Sequence, residues 1–530
     1  MIIISVRRLR KSMPIIKIHF LKAHDKMLFL SILFLLFFNL NLAHAQTDTS
    51  PVIATENGAV YGVREKNGTR AFLGIPFALK PIKEARFKEA VPHLSMTGNI
   101  MAQKFPPACP QNQGNVNWYK SVVKGVGKNP NIIPSLENIS EDCLYLNIWT
   151  PEGATGDLPV MVWIHGGGNV NGWSYEPNYR GHNLSNKEVV VVSVQYRLGD
   201  LGFLPTAFNS EDDPSIANWG ISDLVASLKW IQKNIHNFGG NAENITLFGE
   251  SAGGGNIAGL MLTPTAKGLF HKAIIQSGAV GPKATINLET ARETAKDAYN
   301  NASINTLEKA RETHWKEMIS LHRKADNSYY HYVISDGAYT LAEPEYISDV
   351  PLIIGSNKNE NLMYSSATPA LDITQSLKAY KRGDDIQEYL NQYSSDPKIQ
   401  ADYFYTSEGF LCPSLEITTN IKSPSYVYDF TREREGASEI GAYHGAEIPY
   451  VFNTHDDWLP TDDIDRELTE VMMGYWVNFA NTGQPNGENV PHWETYSTAS
   501  TYRQEFGDRI GKSQHSPENF CALLIEKNIE

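Results

Sequence analysis

The segment Gly249-Glu250-Ser251-Ala252-Gly253 sits between two stretches of opposite character. Before it runs the β-prone Ile245-Thr246-Leu247-Phe248, and after it the small residues continue to Gly255. A strand that enters a sharp Gly-x-Ser-x-Gly turn and leaves as a helix pushes the serine hydroxyl out at the strand tip. The following helix aims its free N–H groups and its dipole at the same point. Few chain architectures accommodate such a turn, and the ones that do are built of alternating strands and helices.

A second Gly-rich turn lies 86 residues upstream of Ser251, in His165-Gly166-Gly167-Gly168. It follows the apolar run Val160-Met161-Val162-Trp163-Ile164, so bare N–H groups stand at another strand end, where an oxyanion can be bound. Elsewhere the same alternation holds. Val189 to Val194 reads as a fully buried parallel strand. Leu224, Leu228, Ile231 and Ile235 mark one face of a helix over 222–236, stopped by Gly239-Gly240. Ala273–Gln276, Pro351–Ile354 and Ser425–Phe430 read as further strands, and 466–481 as a helix. The Lys-, Glu- and Ala-rich stretch 287–328 reads as a helical cap. Together these give an α/β fold of the α/β-hydrolase type: a large, mostly parallel central sheet flanked by helices, with inserted cap loops and helices.

The chain has 530 residues, and its motifs spread to residue 521 with no linker-like gap. One domain over 46–530 is the expectation. Met27–Leu42 is an uncharged apolar run preceded by Lys22 and Lys26 and followed by Ala43-His44-Ala45. That pattern predicts a signal peptide over 1–45, cleaved after Ala45, and a secreted or periplasmic protein. Starts at Met13 or Met27 would give a signal of more usual length; the alternative reading is an uncleaved anchor. No other stretch is long and apolar enough to span a bilayer. Loss of seven Lys/Arg and one Asp with residues 1–45 takes the net charge from −13 to −19, which repels phosphate backbones and argues against nucleic acid as a partner. Cys109, Cys143, Cys412 and Cys521 are the only cysteines. An even number in an exported chain points to two disulfides, in any of three pairings. Asn67, Asn138, Asn183, Asn244 and Asn301 open Asn-x-Ser/Thr sequons.

A serine hydroxyl needs a general base, and the base needs a carboxylate to fix its tautomer. In this fold class the chain order is serine, acid, histidine. His444, in the loop Ala442-Tyr443-His444-Gly445-Ala446-Glu447, is the base expected here, with His492 its rival. Glu360 follows the strand ending at Ile354 and is the expected acid. Glu250 is expected to point away from the hydroxyl, and Glu447 to support the His loop. Neither metal nor cofactor is called for, and the expected partner is a small-molecule ester.

The chain resembles a type-B carboxylesterase of the cholinesterase-like family. The resemblance rests on Gly74-Ile75-Pro76-Phe77-Ala78, Arg86-Phe87, Glu141-Asp142-Cys143-Leu144-Tyr145-Leu146-Asn147-Ile148, Phe238-Gly239-Gly240, the elbow itself, Gln276-Ser277-Gly278, His444-Gly445-x-Glu447 and Tyr475-Trp476-x-Asn478-Phe479-Ala480. It covers residues 52–525. It implies Ser251, Glu360 and His444 as the catalytic triad, and an oxyanion hole from the N–H groups of Gly167, Gly168 and Ala252. It also implies the pairings Cys109–Cys143 and Cys412–Cys521 and a structural ion pair between Arg86 and Glu141. Three departures stand out. Asn359 replaces the usual aspartate beside the acid. Asn169 replaces an aromatic after the glycines, which alters the pocket wall beside the hole. The aromatic choline anchor has no clear match; Trp118 is the candidate, a surface tryptophan the alternative. The readings that follow are an exported serine esterase, a choline esterase or narrowly specific esterase, and a non-catalytic binding protein on the same scaffold.

Overall fold

The alternation of strand and helix resolves into one eleven-stranded sheet. Its strands, in chain order, are β1 (Val63–Arg64), β2 (Arg70–Pro76), β3 (Tyr145–Thr150), β4 (Leu158–Ile164), β5 (Val190–Val194), β6 (Gly240–Glu250), β7 (Lys272–Gln276), β8 (Leu352–Asn357), β9 (Ser425–Phe430), β10 (Arg503–Phe506) and β11 (Ile510–Lys512). The computed structural model describes residues 50–55, 58–93, 98–208, 217–278, 286–324, 331–337, 339–340, 347–365 and 373–528. The predicted signal segment 1–45 lies outside the described residues. Residues 51–530 form one compact unit.

Across the sheet the strands run β11-β10-β9-β8-β7-β6-β4-β5-β3-β2-β1. From β10 to β5 all neighbours are parallel, whereas β1, β2, β3 and β11 pair antiparallel at the edges. Strand β4 continues to its neighbour on one side, β5, while β6 continues to β7 on the other. The direction of winding therefore reverses between β4 and β6. In open parallel sheets the crevice beyond the carboxyl ends at such a reversal is where ligands bind.

The strands are buried on both faces, and alternation sorts their side chains. Val160, Val162, Ile164, Val192, Leu247, Ile275 and Ile354 enter one core. Met161, Trp163, Val191, Phe248, Ile274 and Ile353 enter the other. Helix α1 (Gly114–Gly125) precedes the central strands. Helix α2 (Trp219–Asn234) is buried along nearly its whole length and ends as Gly239 takes a left-handed φ of 89°. Helix α3 (Ala252–Met261) follows β6. The stretch read as a cap is helical in pieces: α4 (Leu288–Asn301), α5 (Leu307–Glu312) and α6 (Trp315–Met318), each opened by a side-chain cap. These pieces pack on Phe87, Leu201, Leu204 and Trp219. The last long helix, α7 (Asp463–Thr482), starts with a capping box between Asp462 and Asp465 and stops at Gly483, φ 78°.

Two disulfides, Cys109–Cys143 and Cys412–Cys521, close loops of 34 and 109 residues. Arg86 is 4 % exposed. Its guanidinium donates to both carboxylate oxygens of Glu141, at 2.9 and 2.6 Å. Its remaining donor bonds the carbonyls of Ala310 and Thr313 at 2.8 and 2.7 Å. The ion pair thus anchors the cap helices to the segment that follows β2.

Candidate active site

Strand β6 delivers Glu250 and Ser251 to the reversal point. Ile164 pairs with Gly249 and Gln276 with Glu250, so the ends of β4 and β7 flank the turn. Ser251 adopts φ 55°, ψ −129°, a conformation that a non-glycine residue takes only under constraint. The constraint comes from both sides: Ser251 N donates to Gln276 O at 2.9 Å, and Ser251 O accepts from Gly255 N at 3.0 Å. The glycines of the motif are steric necessities. A Cβ on Gly249 would stand 2.6 Å from Ile164 O, and one on Gly253 only 2.0 Å from the same oxygen. The elbow therefore exists only where β4 and α3 can touch backbone to backbone.

The turn after β4 faces the elbow. A Cβ on Gly166 would lie 2.9 Å from the Cβ of Ser251. Gly167 and Gly168 take φ 105° and 64°, and Gly167 O accepts from Val170 N and Asn171 N, fixing the turn. The N–H groups of Gly167 and Gly168 find no protein acceptor among the described residues. Ala252 contributes the first N–H of α3, which has no partner within its own helix. His165, beneath the turn, is 1 % exposed, bonds Gly166 O at 2.9 Å and stacks on Tyr196. Burial pushes its pKa down to about 4, so it is neutral there.

Asn169, which stands where the family has an aromatic, turns its side chain into the fold. It is 3 % exposed, at φ 56°. Its amide donates to His331 O at 2.7 Å, and its Oδ1 accepts from Asn256 Nδ2 at 2.8 Å and from the Tyr196 hydroxyl at 3.2 Å. A side chain with donor and acceptor ends clamps the turn from behind, which an aromatic ring cannot do.

Glu360 and His444 arrive on the loops after β8 and β9. Glu360 is fully buried, and its Oε2 lies 2.5 Å from His444 Nδ1. Its Oε1 accepts from Asn357 N at 2.6 Å. The two loops are locked together by Asn359 N to Ala442 O and Ala442 N to Asn359 Oδ1, both 3.1 Å, and by Asn357 Nδ2 to Tyr443 O at 2.8 Å. Asn359, the departure from the family pattern, also donates to Asp402 Oδ2 at 2.8 Å. An aspartate there would set a second carboxylate against Asp402. Glu447 supports the His loop as expected: its carboxylate accepts from Asn357 Nδ2 at 2.6 Å and Gln276 Nε2 at 3.0 Å. Gln276 is held in turn by the Trp476 indole at 3.1 Å, which gives the Tyr475-Trp476 block its purpose. His492 is exposed in the C-terminal coil and has no part in this arrangement.

Glu250, expected to point away from the Ser251 hydroxyl, stands against the imidazole: its Oε1 is 3.2 Å from His444 Nε2. Ser251 Oγ makes no hydrogen bond among the described residues, and His444 Nε2 faces Glu250. Burial and the carboxylates of Glu447, Glu360 and Glu176 push Glu250 up to about 8, against the pull of His444. Burial alone would lower His444, but the Glu250 and Glu360 carboxylates outweigh it and raise its pKa. Glu250 and His444 therefore titrate as a pair.

Trp118 is no isolated surface tryptophan. From α1 it packs edge-on against Tyr119 at 4.9 Å and leans on Tyr443 at 6.1 Å, and a Cβ on Gly445 would stand 3.3 Å from its ring. On the other side of the imidazole, the Phe410 ring centre is 5.0 Å from that of His444.

Residues 49–522 match the model of the carboxylesterase family. This chain belongs to the carboxylesterase family. Carboxylesterase 1C of Rattus norvegicus is 34 % identical over 512 residues, covering 86 % of this chain and 89 % of that protein. Cocaine esterase of Homo sapiens is 31 % identical over 87 % of this chain and 88 % of its own length. Among solved structures, a thermophilic PNB esterase superposes with a TM-score of 0.77 at 29 % identity, covering 90 % of this chain and all of that one. The chain is thus a carboxylic-ester hydrolase of the serine type with the α/β-hydrolase fold, acting on small-molecule esters.

Proposed function

We propose that the esterase is an exported serine carboxylesterase that works through an acyl-enzyme on Ser251, with Glu360 and His444 as its acid and base. The observation that carries this reading is the 2.5 Å contact between Glu360 and His444 Nδ1, presented beside a serine held in a strained left-handed turn. Glu360 fixes the tautomer with the proton on Nδ1, leaving Nε2 to take the proton of Ser251 Oγ as it attacks the ester carbonyl. The contact between Nε2 and Oγ closes when substrate fills the site; catalytic hydrogen bonds are commonly long without it. The N–H groups of Gly167, Gly168 and Ala252 receive the oxyanion. Collapse returns the proton from Nε2 to the departing alcohol. Water, deprotonated by the same nitrogen, then releases the acid and regenerates Ser251. Export is supported by the two disulfides and by the signal pattern of residues 1–45.

A fluorophosphonate probe tests the assignment. It labels the peptide carrying Ser251, and the label and the esterase activity vanish together in Ser251→Ala. Labelling and activity that survive this substitution overturn it. A preference for a cationic alcohol such as choline is a second reading, favoured by the Trp118 ring beside the His444 loop and by the nearby acidic Glu250. Comparing a choline ester with its uncharged carbon isostere in wild type and Trp118→Ala decides it.

A further inference from the structure

Away from Ser251, two histidines converge on a buried carboxylate. Asp200 opens a one-turn helix and is fully buried. His322 lies in the 3-10 turn after α6, and His331 just before the short strand Ile334–Ser335. His331 Nε2 is 2.7 Å and His322 Nδ1 3.0 Å from the same oxygen, Asp200 Oδ1. The second oxygen, Oδ2, accepts from the backbone N–H of His322 at 3.1 Å. Among the described residues, no lysine or arginine pairs with Asp200. The three donor atoms all lie within 4.8 Å of one another.

The two nitrogens come from separate elements: His331 Nε2 meets Oδ1, whereas His322 Nδ1 lies 3.0 Å from both oxygens, and the backbone bond to Oδ2 fixes the carboxylate plane. Two imidazoles and one carboxylate form the donor set that suits zinc and its neighbours, with a fourth position left for water. Ligand atoms about 2.0–2.1 Å from a tetrahedral zinc stand a little over 3 Å apart. The two nitrogen–oxygen separations therefore need to open by only a few tenths of an ångström. On binding, each ring moves its proton from the ligating nitrogen to the other nitrogen, so neutral imidazoles serve as ligands. His322, whose side chain is 12 % exposed, is the side open to an entering ion.

We propose that Asp200, His322 and His331 form a binding site for a divalent transition metal of the zinc class, which ties the cap to the clamp behind the Gly-rich turn. The connection is direct. His331 O accepts the amide of Asn169 at 2.7 Å, and Gly199, the neighbour of Asp200, donates its N–H to Asn169 O at 2.6 Å. Metal bound here pins both partners of Asn169 at once, so its role is structural and separate from the chemistry at Ser251. Sequence reading saw no histidine cluster because the ligands lie at positions 200, 322 and 331.

The test uses full-length protein stripped with chelator and titrated with zinc against a chromophoric competitor. One equivalent per chain is expected to bind in wild type and in His444→Ala, and to be lost in His322→Ala and in Asp200→Asn. Cobalt in the same site is expected to show the intense visible bands of four-coordination, and zinc is expected to raise Tm in wild type but not in the two site variants. Should the variants fail to fold, X-ray absorption on zinc-loaded wild type reads the shell directly: two imidazole nitrogens support the site. Failure of wild type to retain zinc overturns it, as does retention of the full equivalent by folded His322→Ala, or a shell without two imidazoles.

Discussion

Among the described residues, two fully buried carboxylates, Glu360 and Asp200, hold histidines, and they differ in what surrounds the histidine. At Glu360, one imidazole nitrogen meets the carboxylate and the other faces Glu250, at the strand end where Ser251 sits in a strained turn near unpartnered N–H groups. At Asp200, both imidazoles turn toward the carboxylate itself. A carboxylate beside a histidine is thus not a catalytic signature. What distinguishes the first site is that the second imidazole nitrogen turns away from Glu360, toward Glu250 at the end of β6, where the winding of the sheet reverses.

Neutralising the acid is expected to have the largest effect. Glu360→Gln keeps the shape but removes the charge that stabilises the imidazolium. Turnover should fall by about 10⁴, by analogy with the serine-protease triad, or about 5 kcal/mol of barrier. The same change at Glu250 or Glu447 should cost less. If Glu360→Gln retains more than a tenth of wild-type turnover while Glu250→Gln abolishes it, the two carboxylates exchange roles.

Next comes the oxyanion turn. A Cβ on Gly168 would meet only the Val170 side chain, at an ordinary 3.8 Å, but its φ of 64° disfavours any side chain. Gly168→Val should shift the N–H and lower kcat by about 10²–10³, while Tm moves little. Normal turnover in a folded variant would remove Gly168 from the hole.

Breaking the Arg86–Glu141 pair should do the reverse. Loss of one partner of a buried pair costs about 3–5 kcal/mol. Glu141→Gln, whose side chain keeps some exposure, belongs at the low end. Activity per folded molecule should stay at the wild-type level, as read by active-site titration beside thermal melts. An equal loss of kcat would show that the cap anchor also shapes the site.

The smallest effect is on pH. His444 acts as a base only when unprotonated, and neighbouring carboxylates raise its pKa. The acid limb of kcat/KM should therefore lie above the ordinary imidazole value of about 6.5. Glu250→Gln removes one of those charges and should move the limb to lower pH. A limb that stays in place, or moves up, would show that Glu250 is uncharged throughout the working range.

The sequence made the sheet legible because its parallel strands are buried on both faces. Val189–Val194 is apolar almost without interruption and overlaps its observed strand Val190–Val194, and Ser425–Phe430 coincides with its strand. Ser251 was readable from its glycine-marked turn and His444 from its glycine neighbours, whereas Glu360 was picked out from other carboxylates only by the family resemblance. The contact between Glu250 and His444 was not legible, because no local spacing joins residues 250 and 444. Asn169 and Asn359 were read as losses against a family pattern. Their value lies in bonding donor and acceptor at once, to partners as distant as His331 and Asp402. The Asp200 cluster was invisible because no local spacing joins residue 200 to residues 322 and 331.

The pairing of the Asn359 and Tyr443 segments, a short parallel bridge between the acid and base loops, makes those loops one mechanical part. Thermal motion then carries Glu360 and His444 together, and the contact at Nδ1 survives it. Ser251 rides on a different strand, fastened to Gln276. Any motion of one part against the other changes the gap between His444 Nε2 and the serine oxygen, and Glu250 Oε1 stands 3.2 Å from that nitrogen.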